Sequence, residues 1–550
     1  NLKFFITIDM KLLFSFLIII ILLLVFPFES HTNINSSSSL ISKTKFFIKT
    51  KNELKISEAT GKISLVTGIQ SLDEKIIRYK ITGINRLFNL NNGDKTLYEK
   101  FGMARIYLVS IDANFNLDIV NVVEDFKDDG NIDFCEPDYI GISAGVKEIF
   151  QKNPLKNNLP NDEVFYKQWY LQNLGSVEPS SSGGYPKRGA DNNILNAWEI
   201  EKGREEVIIA ILDSGIKDDH PDLRNRIWIN KNEIPNNNID DDQNGYIDDY
   251  KGWDFAYNDK RGEDGFGHGT NIATVIGAST NNMIGFAGVD QRCRLMNCKN
   301  LNADNSGEYS WWAESIKYAV DNGAKIINMS EGGDDYSEVL KTAVEYANES
   351  GVMLNAAMMN KGDGRDYYPA SYKAVFAVGA TDTDDRRCKR FSWGGGSCWG
   401  KHISVVAPGN KIYGLDYEND ESYEVYWSGT SQSTAIISGI AALLLAQDKL
   451  RTNDDLKKII KYSSKDLVGD PKEDREGWDQ YYGFGRVDSY AALNYDNKNP
   501  VMKEDEIKKD ELEKKQEPTM EETQDDNIKS SDKDSDEKPA KARQRNSDDR

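Results

Sequence analysis

The sequence predicts an α/β protein, a mainly parallel sheet between two layers of helices, preceded by a small α+β unit. Three observations predict it. Apolar β-branched runs alternate with helix-like stretches between 207 and 406, and such runs form a sheet buried on both faces. The runs 435–437 and 440–446 are apolar on nearly all sides, as in a core helix with no polar face. Residues 43–145 carry strand and helix signals of their own, and a polar, Asn- and Lys-rich stretch follows them.

Composition limits the function. A chain of 550 residues has room for two to four domains. A net charge of −21 argues against nucleic acid as a partner and suits hard cations. The five cysteines, at 135, 293, 298, 388 and 398, contain no Cys-x-x-Cys pair to suggest zinc. The last four permit two disulfides in an oxidising compartment. Any histidine chemistry must use His31, His220, His268 or His402.

Met10-Lys11 and the apolar run 12–28 read as a secretory signal over 1–30. The run sits at the short end for an uncleaved anchor. In the unit 43–145, Phe46-Phe47-Ile48, 76–81 and 104–109 read as strands and 117–126 as a helix. The stretch 146–162, with Pro154 and Pro160, reads as an exposed, cleavable linker. The main domain, 163–494, has strand patterns at 207–212, 325–329, 352–354, 375–378 and 403–406, with helices at 313–322 and 339–350. Residues 495–550 have no apolar period and read as a disordered charged tail.

Four residues carry the candidate chemistry. Asp213 ends the first strand of the main domain, where a carboxylate can be aimed into a cleft at the strand ends. His268 sits between two glycines ahead of a small-residue helix. Asn360 follows another strand. Ser431, in Ser428-Gly429-Thr430-Ser431, stands at the mouth of the apolar helix. There the positive end of the helix dipole favours a developing oxyanion, while hydroxyls at the mouth also read as caps for the free N–H groups. Alone, each has a bland reading: turn aspartate, loop histidine, turn amide, helix cap. Together, in the order Asp, His, Ser, they form an acid, base and nucleophile set. His220 precedes a proline in a turn and His402 enters a strand with no acid motif, so neither reads as the base.

These motifs resemble the subtilisin family of serine proteases. The matching text runs from Asp213-Ser214-Gly215-Ile216 and His220-Pro221-Asp222-Leu223 through Gly267-His268-Gly269-Thr270 and Asn328-Met329-Ser330 to Ala407-Pro408-Gly409 and Ser428-Gly429-Thr430-Ser431. The resemblance implies a subtilisin-like three-layer fold, a triad of Asp213, His268 and Ser431, and an oxyanion site made by Asn360 and the Ser431 N–H. Ser330, Gly332 and Gly333 would pair with substrate backbone as an added strand. The unit 43–145, closing in Glu136-Pro137-Asp138, resembles the family's ferredoxin-like inhibitory propeptide. The implied protein is a monomeric serine endopeptidase, secreted or held in a secretory organelle, and touching membrane only if its N-terminal segment is uncleaved. It acts on protein substrates, cuts itself between about 145 and 163, and keeps its propeptide as an inhibitor. The alternative is a catalytically silent subtilase serving as a binding or chaperone module; retention of all four residues favours the enzyme.

The sequence departs from the family pattern in places. Gln432-Ser433-Thr434-Ala435 replaces Met-Ala-x-Pro, and Met358-Met359 replaces Ala-Gly before Asn360. Met359 is expected to fill part of the pocket for the residue before the cut, favouring small side chains there. Glu331 replaces an apolar residue in the substrate wall and is expected to favour a basic or polar residue upstream.

The loop 240–249 alternates oxygen donors, with Asp240, Asp242, Asn244 and Asp248 as candidate calcium ligands. It begins like an EF-hand, but Lys251 stands where the last acid would be. The resemblance implies a second calcium site from Asp222, Asn282 and the carbonyls of Thr280, Ile284 and Phe286, with Gln168 near. Cys388 and Cys398 flank a glycine-rich loop and could close it as a disulfide. Cys293 and Cys298, five apart on one strand, would face opposite ways. Buried free thiols are the alternative reading.

Overall fold

The computed structural model describes residues 40–54, 66–115, 117–149 and 159–495. The apolar run 12–28, His31, most of the linker and the tail beyond 495 lie outside them. No helix among the described residues is long and apolar enough to cross a membrane.

The N-terminal unit is a four-stranded antiparallel sheet in the order Ile132–Ser143, Ile41–Thr50, Ile106–Ile111, Ile81–Arg86. The helices Gln70–Arg78 and Ile119–Lys127 complete a β-α-β-β-α-β path. Phe46, Ile48, Leu72, Ile76, Val122 and Phe126 share one core. The strand expected at 76–81 is instead the end of a helix and the start of the next strand. Leu72 and Ile76 are buried one turn apart while Ile77 is 70% exposed. That is helical period, and a short apolar run cannot separate the two by itself. Lys80, in the left-handed region at φ +53°, turns the chain into the strand.

The central sheet of the main domain has seven strands, all parallel. Their order is Ile403–Pro408, Phe376–Thr381, Met353–Ala357, Ile326–Met329, Ile208–Asp213, Arg294–Lys299, Gly252–Asp254. Strand side chains alternate between faces, and the core divides accordingly. Ile209 and Ile211 pack with the helices His268–Gly277 and Thr430–Gln447. Ala210 and Leu212 pack with Tyr309–Asp321 and Glu338–Glu349. Every residue from Thr430 to Ala446 is buried, as the all-round apolar pattern requires. Its interior hydroxyls are bonded: Ser433 donates to the carbonyls of Ala407 and Pro408, and Ser438 to Asn328 and the Thr434 carbonyl.

All five cysteines are free and buried, which corrects the disulfide expected between Cys388 and Cys398. Their sulfurs are engaged separately. Cys398 accepts the Lys361 N–H at 3.2 Å, and Cys388 lies 3.6 Å from the Ser181 hydroxyl.

Candidate active site

The site forms at the C-terminal ends of the parallel strands. Asp213 is the last residue of its strand, and His268 opens its helix. The imidazole Nδ1 lies 2.8 and 3.0 Å from the two Asp213 carboxylate oxygens, with both residues buried. This pairing holds the ring by one nitrogen. The other, Nε2, is buried and has no hydrogen-bond partner. Trp427 stands edge-on to the imidazole at 5.1 Å. His220 and His402 lie elsewhere: His220 accepts the Asp222 N–H, and His402 faces Asp366.

Ser431 is in the first turn of its helix, where backbone N–H groups lack helical acceptors. The expected hydroxyl cap is absent; no side chain of the N-cap Gly429 can serve. Instead, Asn360 Oδ1 accepts both the Thr430 N–H (2.9 Å) and its hydroxyl (3.1 Å). The Ser431 N–H donates to the carbonyl of Ala144, at 3.2 Å. Fixing Asn360 by its oxygen turns its Nδ2 toward the same space. A Cβ built on Gly429 would lie 2.9 Å from Asn360 Nδ2 and 2.2 Å from the Ala144 oxygen. The Ser431 hydroxyl donates to the Ser330 carbonyl, 3.0 Å away.

Ala144 belongs to the N-terminal unit, whose last strand runs through the site. Ile132–Ser143 pairs antiparallel with Glu331–Gly332 on one edge and Ser306–Glu308 on the other. The Ala144 N–H donates to Ser330 O at 2.8 Å. Past Gly145, Val146–Ile149 pairs with Val425–Ser428. The chain is therefore threaded, extended, across the site, with the 144–145 peptide between His268 and Ser431. Two acids seat this unit on helix ends. Glu136 accepts the Glu338 and Val339 N–H groups and the Ser337 hydroxyl; Asp138 accepts the Ser310 N–H and hydroxyl.

Ser330 and Gly332 meet the threaded strand of the N-terminal unit. Gly333 does not: it exchanges both backbone bonds with Tyr368. Met359 is buried at φ +73°, and its sulfur lies 2.7 Å from where a Gly332 Cβ would be.

Glu331 corrects its expectation. Its backbone pairs with Ser143, but its side chain turns inward and is 1% exposed. The strand fixes which way each residue faces, and this position faces the core. Oε1 accepts from Asn300 Nδ2 at 3.0 Å; Glu331 Oε2 and Asn300 Oδ1 are buried without partners. A proton on the carboxyl would turn one of these unpartnered oxygens into a donor and remove a buried charge. Burial, with the Asp213 charge adding to it, pushes the carboxyl well above its ordinary 4.5. The folded state therefore holds a proton that the unfolded chain releases above about 4.5, so stability falls as pH rises from there through the folded value. Glu331→Gln keeps an oxygen for the Asn300 bond and removes the titration. Thermal melts across pH should give a flatter stability profile for the variant; parallel profiles would refute a protonated Glu331.

The predicted metal-loop residues are divided by the fold. Asp242 groups with Glu233 and Asp249, one oxygen of each lying within 4.8 Å of the others. Glu233 and Asp249 were not singled out from the sequence. Glu233 lies outside the acidic run, and only folding brings it near. Asp240 accepts the Asn244 and Gly245 N–H groups, and Asn244 Oδ1 that of Tyr246. Asp248 faces Lys260 and the Asn237 and Asn238 N–H groups, away from the cluster. At the second locus, Asp222 accepts from Asn282 Nδ2 and from the Phe286 N–H. Gln168 pairs with the Ala287 backbone. Asp162 accepts the Asn281 and Asn282 N–H groups in the same loop.

Comparison with known proteins agrees with this architecture. The sequence model of the Subtilase family matches residues 204–485. The "Thermophilic serine proteinase" of Bacillus sp. (strain AK1) is 31% identical over 357 residues, 65% of this chain and 77% of the relative. "Thermitase" of Thermoactinomyces vulgaris is 32% identical over 299 residues, 54% of this chain and 92% of the relative. A "Cell wall-associated protease" of Bacillus subtilis (strain 168) is 28% identical over 384 residues, 66% of this chain and 37% of the relative. The chain belongs to the subtilase family and is a serine endopeptidase.

Proposed function

We propose that this endopeptidase is made as a zymogen that cuts itself at the Ala144–Gly145 bond, through Asp213, His268 and Ser431 with Asn360. The observation that carries this is the seating of that peptide, its carbonyl on the Ser431 N–H and its Gly145 side against His268. The bond lies one residue ahead of the span expected from the sequence.

In this reading the Ser431 hydroxyl turns from Ser330 O toward the free Nε2 of His268, which takes its proton as Oγ attacks the carbonyl carbon. The oxyanion is held by the Ser431 N–H and Asn360 Nδ2. His268 then gives the proton to the departing Gly145 nitrogen, and water hydrolyses the acyl-serine by the reverse path. Asp213 holds the tautomer and offsets the imidazolium charge. Until released, the N-terminal unit blocks the cleft by occupying it, so it is inhibitor and first substrate together. Incubating the full chain and sequencing new termini tests this. The expected terminus is Gly145; a wild-type chain that reacts with a fluorophosphonate yet never opens this bond would refute it.

We also assign calcium to the Glu233, Asp242 and Asp249 cluster. Three carboxylates with oxygens within 4.8 Å of one another, beside the buried and unpartnered Glu233 Oε2, fit such an ion. It would brace the loop and take no part in catalysis. Asp222, Asn282 and Asp162 are proposed for a second site of the same kind. Chelation should lower the melting midpoint by roughly 5 °C, restored by added calcium, with a smaller shift in Glu233→Gln. A midpoint indifferent to chelator would remove calcium from the account. Secretion is part of the proposal, supported by the apolar run 12–28.

A further inference from the structure

We propose that this peptidase selects segments with glycine four residues before the cut and small residues on both sides of it, and that Trp312 imposes the glycine. This rests on the 144–145 peptide being the bond attacked.

The threaded strand is held on both edges, so it cannot retreat from a bulky neighbour. Pairing Ser143 with Glu331 and Ile142 with Gly332, and on the other side Gly141 with Gly307, fixes the register. Alternation then turns Gly141 and Ser143 inward, while Ile142 is 38% exposed. A Cβ on Gly141 would lie 2.0 Å from Trp312 Cη2, 2.7 Å from Cζ2 and 2.9 Å from the Gly332 carbonyl. Something must move to admit even a methyl group.

The indole is poorly able to move. Trp312 is 1% exposed with the threaded strand in place, and it stacks on Tyr309 at 4.8 Å, with 27° between the planes. A Cβ at Gly307 would stand 2.5 Å from its Nε1, and one at Gly333 would stand 2.1 Å from the Tyr309 hydroxyl. Both rings are thus packed directly against backbone, a flat rigid floor beneath the fourth residue. Displacing a packed side chain in this way is the usual cost of overpacking a core.

The two residues at the cut are limited separately. Ala144 is 1% exposed, next to the strand that Met359 packs against. A Cβ on Gly145 would lie 2.7 Å from His268 Nε2, so a side chain there pushes directly on the base. Ser143 is bonded to the Asn305 amide. Ile142 faces solvent and should carry no selection.

The test compares twelve-residue peptides of the sequence 138–149, cut by the processed full chain. Replacing glycine by valine at the position of Gly141 should lower kcat/KM by roughly tenfold or more. Replacing Ile142 should change little. Trp312→Leu should bring the valine and glycine peptides close to equal rates, a rescue that a purely structural role would not give. Trp312→Phe serves if the leucine variant fails to fold, with fluorophosphonate labelling reporting an intact site in each. Equal rates on the two peptides with wild-type enzyme, or an unchanged preference in a labelled Trp312 variant, would overturn the proposal. Loss of labelling in the wild type would instead strike the reading of the site itself.

Discussion

Ser431→Ala is expected to lower peptide hydrolysis by roughly a millionfold, the size found for losing this residue in subtilisin itself. In the proposed mechanism the Ser431 hydroxyl attacks the carbonyl held on the Ser431 N–H. In that mechanism the donors for the oxyanion are a backbone N–H and Asn360, which the substitution leaves in place. The fold should hardly notice: Ser431 Oγ makes one hydrogen bond, to Ser330 O, worth about 1 kcal/mol. That carbonyl keeps its bond from the Ala144 N–H. The variant should therefore accumulate as the uncut chain, refuse a fluorophosphonate label and melt close to the wild type. A variant that still labels, or still separates residue 144 from 145, would mean that another nucleophile does the work.

Asp213→Asn is expected to cost roughly 10⁴ in kcat with little change in KM, the size known for this change in another serine protease. Asp213 takes the Nδ1–H of His268 with its carboxylate, which leaves a lone pair on Nε2. An amide in its place can present N–H to Nδ1 instead, and the ring proton then moves to Nε2. The base now carries a proton on the face that must accept one. The threaded strand is held by Ser330, Gly332 and Ser306–Glu308; if substrate binds the same way, none of these contacts involves Asp213 and binding should survive. Steady-state kinetics separate the two quantities. A rise in KM at constant kcat would show that Asp213 shapes the cleft and does not act through the imidazole.

Much of the site was legible in the sequence because its parts are local. A strand that ends in Asp213, glycines around His268 and an apolar helix behind Ser431 are each patterns of a few residues. Their convergence follows from parallel strands that bring their C-terminal ends to one edge. The core helix was equally legible, since nothing polar interrupts one side of it. Where the sequence misled, the deciding contact lay far away in the chain. The family resemblance puts Glu331 in the substrate wall; its direction is set by pairing with Ser143 and by Asn300 behind it. The run 76–81 fits a strand as well as a helix until Leu72 and Ile76 find the sheet they cover. The spacing of Cys388 and Cys398 says nothing of the separate partners that hold their sulfurs.

The amino-acid order thus determined the class of fold, the class of enzyme and the four residues proposed to carry the chemistry, because periodicity and motif are properties of neighbours. Only the tertiary structure decided which peptide lies across Ser431, that Trp312 closes the floor beneath Gly141, and which acids gather with Asp242. Each of those depends on the register and facing of strands that meet from opposite ends of the chain, and no short stretch of sequence encodes that by itself.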